Sequence, residues 1–137
     1  MYTAKNKVRM HDTDMAGILY FARQFRFVHD TLEDWMESEG LKFEQIFHDE
    51  NFVFVIIHCE ADYFAPVTVG DTLEIQATCE KIGNTSFTLR YLIFNQDGVK
   101  VGAARTVHVC LAQTTREKIS IPQKLKKILA KHLEKTP

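Results

Sequence analysis

The sequence predicts an α+β domain: an antiparallel sheet with one long helix laid against one of its faces. Three observations predict it. One apolar stripe at helical spacing follows a short first strand. Four segments of period two then run in series. Gly- and Asn-containing turns separate those segments, so neighbouring strands are joined as hairpins and run antiparallel. Strands grouped apart from helices give an α+β layout rather than alternating α/β.

Each element has its own justification. Residues Tyr2 to Met10 alternate weakly and give a first strand, stopped by the polar cluster His11-Asp12-Thr13-Asp14. Phe21, Phe25, Val28, Leu32, Trp35 and Met36 then form the stripe of an amphipathic helix, with Gly40 where a helix-ending glycine belongs. Phe27 lies off that stripe. A short helical piece is expected around Phe43 to His48. Val53, Val55, Ile57, Cys59, Ala61 and Tyr63 alternate with Phe54, Ile56, His58, Glu60 and Asp62. The first half is apolar on both faces, the pattern of a buried central strand. Ala65-Pro66 ends it and Gly70-Asp71 turns the chain. Leu73 to Cys79, Phe87 to Ile93 and Val101 to Leu111 are further strands, divided by turns at Gly83-Asn84 and Gln96-Asp97-Gly98. Pro122 can open a final helix with Leu125, Ile128, Leu129 and Leu133 on one face.

Composition narrows the function classes. The chain has 137 residues, one domain's worth, with 45% hydrophobic and 26% charged residues and a net charge of −1. That balance argues against a nucleic-acid coat or electrostatic membrane docking. No apolar run suits a membrane span and no secretory signal stands at the N-terminus, so a cytoplasmic protein is expected. Cys59, Cys79 and Cys110 form no CxxC pair and are expected as reduced thiols. From Arg116 to Pro137 there are seven Lys/Arg and only two acids, which leaves the remainder of the chain acidic. This basic segment is either a solvated helix face or a site for a polyanion such as a nucleotide phosphate.

One cluster stands out for chemistry. Asp12 and Asp14, beside His11, lie just before the long helix. One of them can cap a helix, since a carboxylate accepts the free N–H groups there. Two exceed what capping needs, and a carboxylate beside free helix N–H groups can act as base or nucleophile while those groups hold a developing oxyanion. A metal site on His11, Asp12 and Asp14 lacks a second ligand cluster. His29-Asp30 is set aside as a metal pair, because such phosphohydrolase sites belong to all-helical folds. His58 and His108, both on strands, read first as packed histidines. The sequence has no G-x-S-x-G elbow, P-loop or G-x-G-x-x-G.

The run from Val8 to Phe21, VRMHDTDMAGILYF, resembles the signature of the hotdog-fold 4-hydroxybenzoyl-CoA thioesterase family, D-[TC]-D-x-x-G-[IV]-[VL]-[YW]-[FY]. The long helix, Tyr63-Phe64-Ala65-Pro66, Gly70-Asp71 and the Lys81-Ile82-Gly83-x-x-Ser86-Phe87 hairpin follow in the family's order. HCEADYFAP (58–66), His108-Val109-Cys110 and Arg116-Glu117-Lys118 ahead of Pro122 are most similar to its 1,4-dihydroxy-2-naphthoyl-CoA hydrolases, of menaquinone and phylloquinone synthesis. The rival is the short-chain acyl-CoA subgroup associated with the Tol-Pal system, and a non-catalytic acyl-binding hotdog protein is a further alternative.

The resemblance implies a hotdog domain over residues 1–137, its antiparallel sheet wrapped around one long central helix, hydrolysing an acyl-CoA thioester. It implies Asp14 as the catalytic carboxylate, general base or nucleophile, with Asp12 as its loop-stabilising partner. The backbone N–H of Phe21 would polarise the thioester carbonyl, with Gly17 allowing close approach. His58 would face the acyl pocket and bond an aromatic hydroxyl. Asn84, Thr85 and Ser86 would contact CoA, and Arg116 and Lys118 its phosphates. No metal or organic cofactor is implied. The partners implied are the acyl-CoA substrate and other copies of the chain, as a homodimer or homotetramer with a site built from both protomers, and neither nucleic acid nor a membrane span.

Overall fold

The computed structural model describes residues 1–134, so Lys135 of the basic segment lies outside the described residues. The elements are β1 (Tyr2–Lys7), 3-10 turns at Met10–Asp12 and Phe21–Arg23, α1 (Gln24–Ser38), α2 (Phe43–His48), β2 (Phe52–Tyr63), β3 (Thr72–Ile82), β4 (Ser86–Phe94), β5 (Lys100–Ala112) and α3 (Gln123–Lys131). The strands form one antiparallel sheet in the order β1-β3-β4-β5-β2. Period-two patterning buries Leu73, Ile75, Ala77 and Cys79 of β3 and Phe87, Leu89, Tyr91 and Ile93 of β4. These join Phe27, Val28, Leu32, Trp35 and Met36 of α1 in one core, closed at one end by Leu125, Ile128 and Leu129 of α3.

The expected helix stripe is out of phase at its start. The residues α1 buries are Gln24, Phe27, Val28, Thr31, Leu32, Trp35 and Met36, so Phe27 is core. Phe21 precedes the α-helix in a 3-10 turn and is 63% exposed. A stripe counted from Phe21 starts three residues before α-helical geometry begins at Gln24. Gly40, at φ +82°, ends the helix as expected, with the Leu41 N–H donating to the Met36 carbonyl at 2.9 Å. Neither Asp12 nor Asp14 caps α1: its N-cap is Arg23, with no side-chain cap. Pro122 is the N-cap of α3, but that helix ends at Lys131. Leu133 lies beyond it, half-exposed, bridged to Cys79 of β3 rather than on the helix face.

A second correction concerns β2. Its doubly apolar first half marks no central strand: β2 is an edge of the sheet and, among the described residues, pairs with β5 alone. Val55, Ile56 and Ile57 are exposed. An apolar pattern on both faces reports burial without saying what supplies it, and one protomer does not supply it here. Long apolar edges are a liability unless covered. The β2–β5 register also shifts between Ile56 and His58.

Candidate active site

The loop between β1 and α1 is held at its base by a buried ion pair. Asp12 has no solvent exposure and accepts two hydrogen bonds from one guanidinium, Arg26 Nε to Oδ1 and Nη2 to Oδ2, both at 2.7 Å. The Arg9 N–H adds a third at 2.8 Å. Burial alone would raise the Asp12 pKa, but the bonds and charge of Arg26, with the Arg9 N–H, outweigh it and hold the carboxyl below its usual range. Arg26 also donates to Asp30 at 2.8 Å, and Asn6 of β1 donates to the same oxygen at 2.9 Å. Three elements are thus tied at one point, and Arg26 fills the lone pairs a metal at Asp12 would need.

Asp14, two residues on, sits at the exposed tip. Its Oδ1 accepts the Ala16 N–H at 2.8 Å. The backbone folds tightly around it, with Asp14 N–H to Ile18 C=O at 2.9 Å and Gly17 N–H to Asp14 C=O at 3.0 Å. Gly17 has φ +78°, a conformation a side chain disfavours, so the turn itself requires glycine here. The 3-10 turn Phe21–Arg23 follows this loop, its N-cap Tyr20 tied back by an N–H donated to the Asp12 carbonyl at 2.8 Å. As first residue of that turn, Phe21 has an N–H without an intrahelical acceptor. Its carbonyl accepts the Tyr63 hydroxyl. The Gln24 amide donates to the carbonyls of Asp62 at 3.2 Å and Ala103 at 3.1 Å, pinning the helix start to β2 and β5. Gly102 is required there, since a Cβ would lie 2.6 Å from Gln24 Oε1.

The residues expected at CoA gather at the other end of the sheet. The β3–β4 hairpin tip meets the segment after β5: Ile121 N–H donates to Asn84 C=O at 2.9 Å, Cys110 N–H to Thr85 C=O at 2.9 Å, and Ser120 Oγ to Asn84 Oδ1 at 3.2 Å. Ser86 closes the hairpin, accepting the Gly83 N–H at 2.8 Å. Lys118 bridges to Leu111, and Arg116, at φ +63°, turns the chain. Both are exposed, and among the described residues neither forms an ion pair. Lys124 and Lys131, by contrast, pair with Glu50 and Glu39. The basic segment therefore divides into structural and unengaged cations.

An apolar cavity of about 310 Å³ opens at this same end, lined by residues that include His29, Phe43, Phe47, Phe54, Val55 and His108. His108 is buried and stacked on Phe87, with centroids 4.9 Å apart and planes 7° apart. Burial, and secondarily the charge of His29, push its pKa down to about 4. The structure does not bring His58 to this cavity. The irregularity at Ile57 pairs His58 with Val107, whereas Ile56 pairs with His108. His58 is therefore exposed on the sheet face opposite α1, a correction to its expected inward position.

Asp14, Gly17 and Phe21 are brought together, and so are Asn84, Thr85, Ser86, Arg116 and Lys118. The two groups are not. β3 runs between them for 11 residues, which at about 3.3 Å per residue separates them by roughly 30 Å. The sequence reading missed Arg26, Gln24 and the cavity-lining position of His108. For Arg26 the signal was its spacing of four from Asp30. Gln24 carries none, because its partners are backbone carbonyls remote in sequence.

Residues 8–129 match the profile of the thioesterase-like superfamily. The chain is 34% identical over 128 residues to a 1,4-dihydroxy-2-naphthoyl-CoA hydrolase of Prochlorococcus marinus (strain NATL2A), covering 88% of this chain and 82% of that one. A 1,4-dihydroxy-2-naphthoyl-CoA hydrolase of Synechococcus elongatus (strain ATCC 33912 / PCC 7942 / FACHB-805) is 32% identical, over 90% of this chain and 91% of its own. Among solved structures, a 1,4-dihydroxy-2-naphthoyl-CoA thioesterase from Synechocystis superposes with a TM-score of 0.88 at 30% identity, covering 94% of this chain and 95% of that one. With the five-stranded antiparallel sheet and its helices, these likenesses show that the chain belongs to the thioesterase-like superfamily of hotdog proteins.

Proposed function

We propose that this chain is an acyl-CoA thioesterase whose substrate is a hydroxylated aromatic acyl-CoA, 1,4-dihydroxy-2-naphthoyl-CoA, on the route to menaquinone or phylloquinone. The observation that carries the reading is Asp14: an exposed carboxylate on a braced loop that leads into the 3-10 turn opened by Phe21. The named activity of relatives 30–34% identical over most of the chain supports it.

Acting as general base, Asp14 takes a proton from water as the water oxygen bonds to the thioester carbon. The carbonyl electron pair moves to the oxygen facing the Phe21 N–H. Collapse expels the CoA thiolate, which takes the proton back from Asp14, leaving free acid and thiol. Acting as nucleophile, Asp14 itself bonds to the carbon and expels the CoA thiolate; water then cleaves the mixed anhydride, restoring the Asp14 carboxylate and releasing the acid, with a proton of that water ending on the thiolate. Gly17 gives the loop its close turn. Asn84, Thr85, Ser86, Arg116 and Lys118 hold the CoA, the two cations facing its phosphates. His58, on the outer face, has no acyl group within this protomer's cavity to meet.

In this reading residues 1–137 act as one hotdog domain with α1 as its central helix, and the working unit is a homodimer or homotetramer. β2 runs from the hairpin end to the loop end. A second copy paired antiparallel along its exposed apolar edge lays one protomer's Asp14 loop against the partner's hairpin end, closing the 30 Å gap of a single chain. Among the described residues no helix is long and apolar enough to cross a membrane, and the three cysteines are unpaired, which suits the cytoplasm. The test is thiol release from a panel of acyl-CoAs. 1,4-Dihydroxy-2-naphthoyl-CoA is expected to give the highest kcat/KM. Butyryl-CoA in first place would assign the short-chain subgroup, and binding without turnover an acyl-binding protein.

A further inference from the structure

We propose that His108, the buried imidazole lining the apolar cavity between α1, α2 and β2, reads a ring hydroxyl of the acyl group and so sets the preference for hydroxyaryl over plain aryl thioesters. The inference rests on the thioesterase reading above and names the residue that determines its acyl specificity.

The cavity walls are aromatic and aliphatic apart from two imidazoles. Its volume of about 310 Å³ lies at the small end of ligand pockets. His29 is exposed on α1, whereas His108 is only 1% exposed. Its Nε2 is 2.8 Å from the Thr106 hydroxyl, and its Nδ1 has no hydrogen-bond partner among the described residues. Buried polar atoms are nearly always bonded, and this ring nitrogen, closed off in the wall of a ligand-sized cavity, lacks the partner that a ligand hydroxyl supplies once the neighbouring wall side chains give way. Stacking on Phe87 and the edge of Phe54, 5.6 Å away, hold the ring against turning to find a backbone partner.

A hydroxyl matches this nitrogen in either tautomer. If Nε2 donates to Thr106, Nδ1 accepts from the ligand O–H; if the Thr106 hydroxyl donates to Nε2, the Nδ1–H donates to the ligand oxygen. Burial keeps the ring neutral at pH 7, which favours an uncharged phenolic group over a carboxylate. A plain aryl ring fills the same space and leaves Nδ1 unpaired.

The experiment compares wild type with His108→Phe, which keeps an aromatic ring for the Phe87 stack, on 1,4-dihydroxy-2-naphthoyl-CoA, 2-naphthoyl-CoA and butyryl-CoA. His108→Phe is expected to lower the ratio of kcat/KM for the dihydroxy substrate to that for 2-naphthoyl-CoA by about tenfold to a hundredfold. A folded variant that keeps the wild-type ratio overturns the role of His108 while leaving the thioesterase reading intact. Wild-type preference for butyryl-CoA overturns both. A measurement on the wild type needs no variant: the 15N resonance of His108 Nδ1 should move on saturation with 1,4-dihydroxy-2-naphthoate and stay with 2-naphthoate. An unmoved resonance with both acids overturns the proposal even if His108→Phe does not fold.

Discussion

In the proposed reading the two ends of the sheet carry complementary halves of one chemistry. The loop end has a carboxylate, Asp14, and an open helix turn at Phe21, braced from beneath by the Asp12–Arg26–Asp30 network. The hairpin end has an apolar cavity and two exposed cations, Arg116 and Lys118, that form no ion pair among the described residues. Acyl-CoA hydrolysis needs both. In the proposed reading, the separation places rigidity and recognition at opposite ends, so that a whole site takes a second chain.

The largest effect should come from the brace. Arg26→Ala leaves the Asp12 carboxylate buried without its partner, and is expected to cost about 3 kcal/mol or more of stability, read by denaturant unfolding. Asp14→Asn should leave the melting temperature and KM near wild type while lowering kcat at least about a hundredfold. Near-normal turnover by that variant would remove the chemical role from the loop end. Asp12→Asn should do the reverse, harming stability more than kcat.

At the hairpin end, His108 should make stability depend on pH. Its folded pKa, about 4, is below the usual 6.5, so between those values the unfolded chain binds a proton the folded chain does not. Stability from this group is therefore present above pH 6.5 and falls with acidification, by up to about 1.4 kcal/mol per pH unit, until pH 4. His108→Phe should flatten that slope in urea melts across this window. The smallest effect belongs to the exposed cations. Replacing Arg116 and Lys118 with Ala should raise KM with little change in kcat, because a remote phosphate contact is equal in ground and transition states. The penalty should shrink at high salt or with 3′-dephospho-CoA thioesters. An unchanged KM would return both residues to plain surface.

What was legible in the sequence follows from range. The hairpins around Gly83 and Gly98 and the alternation of β3 and β4 are local patterns, and the sheet follows from them. The D-x-D loop was legible because two carboxylates before a helix exceed its capping needs. The edge position of β2 was not, since Val53 to Ile57 reads the same whether a neighbouring strand or another molecule covers it. His58 was misplaced by one extra residue at Ile57, and a single-residue shift turns a side chain to the other face. The fate of Gln24 depends on the Asp62 and Ala103 carbonyls, 38 and 79 residues away, which no local pattern announces.

The central claim is that the loop end of one protomer works with the hairpin end of another. It is tested by mixing two impaired proteins, Asp14→Asn and the charge-reversed Arg116→Glu/Lys118→Glu, exchanging subunits, and assaying at low substrate. In a mixed dimer one of the two sites then pairs an intact Asp14 with an intact hairpin end. Recovery to about a quarter of wild-type activity is expected, since half of the dimers are mixed and each holds one whole site of two. Activity no higher than the average of the two parent proteins, after exchange has been verified by mass, would contradict it.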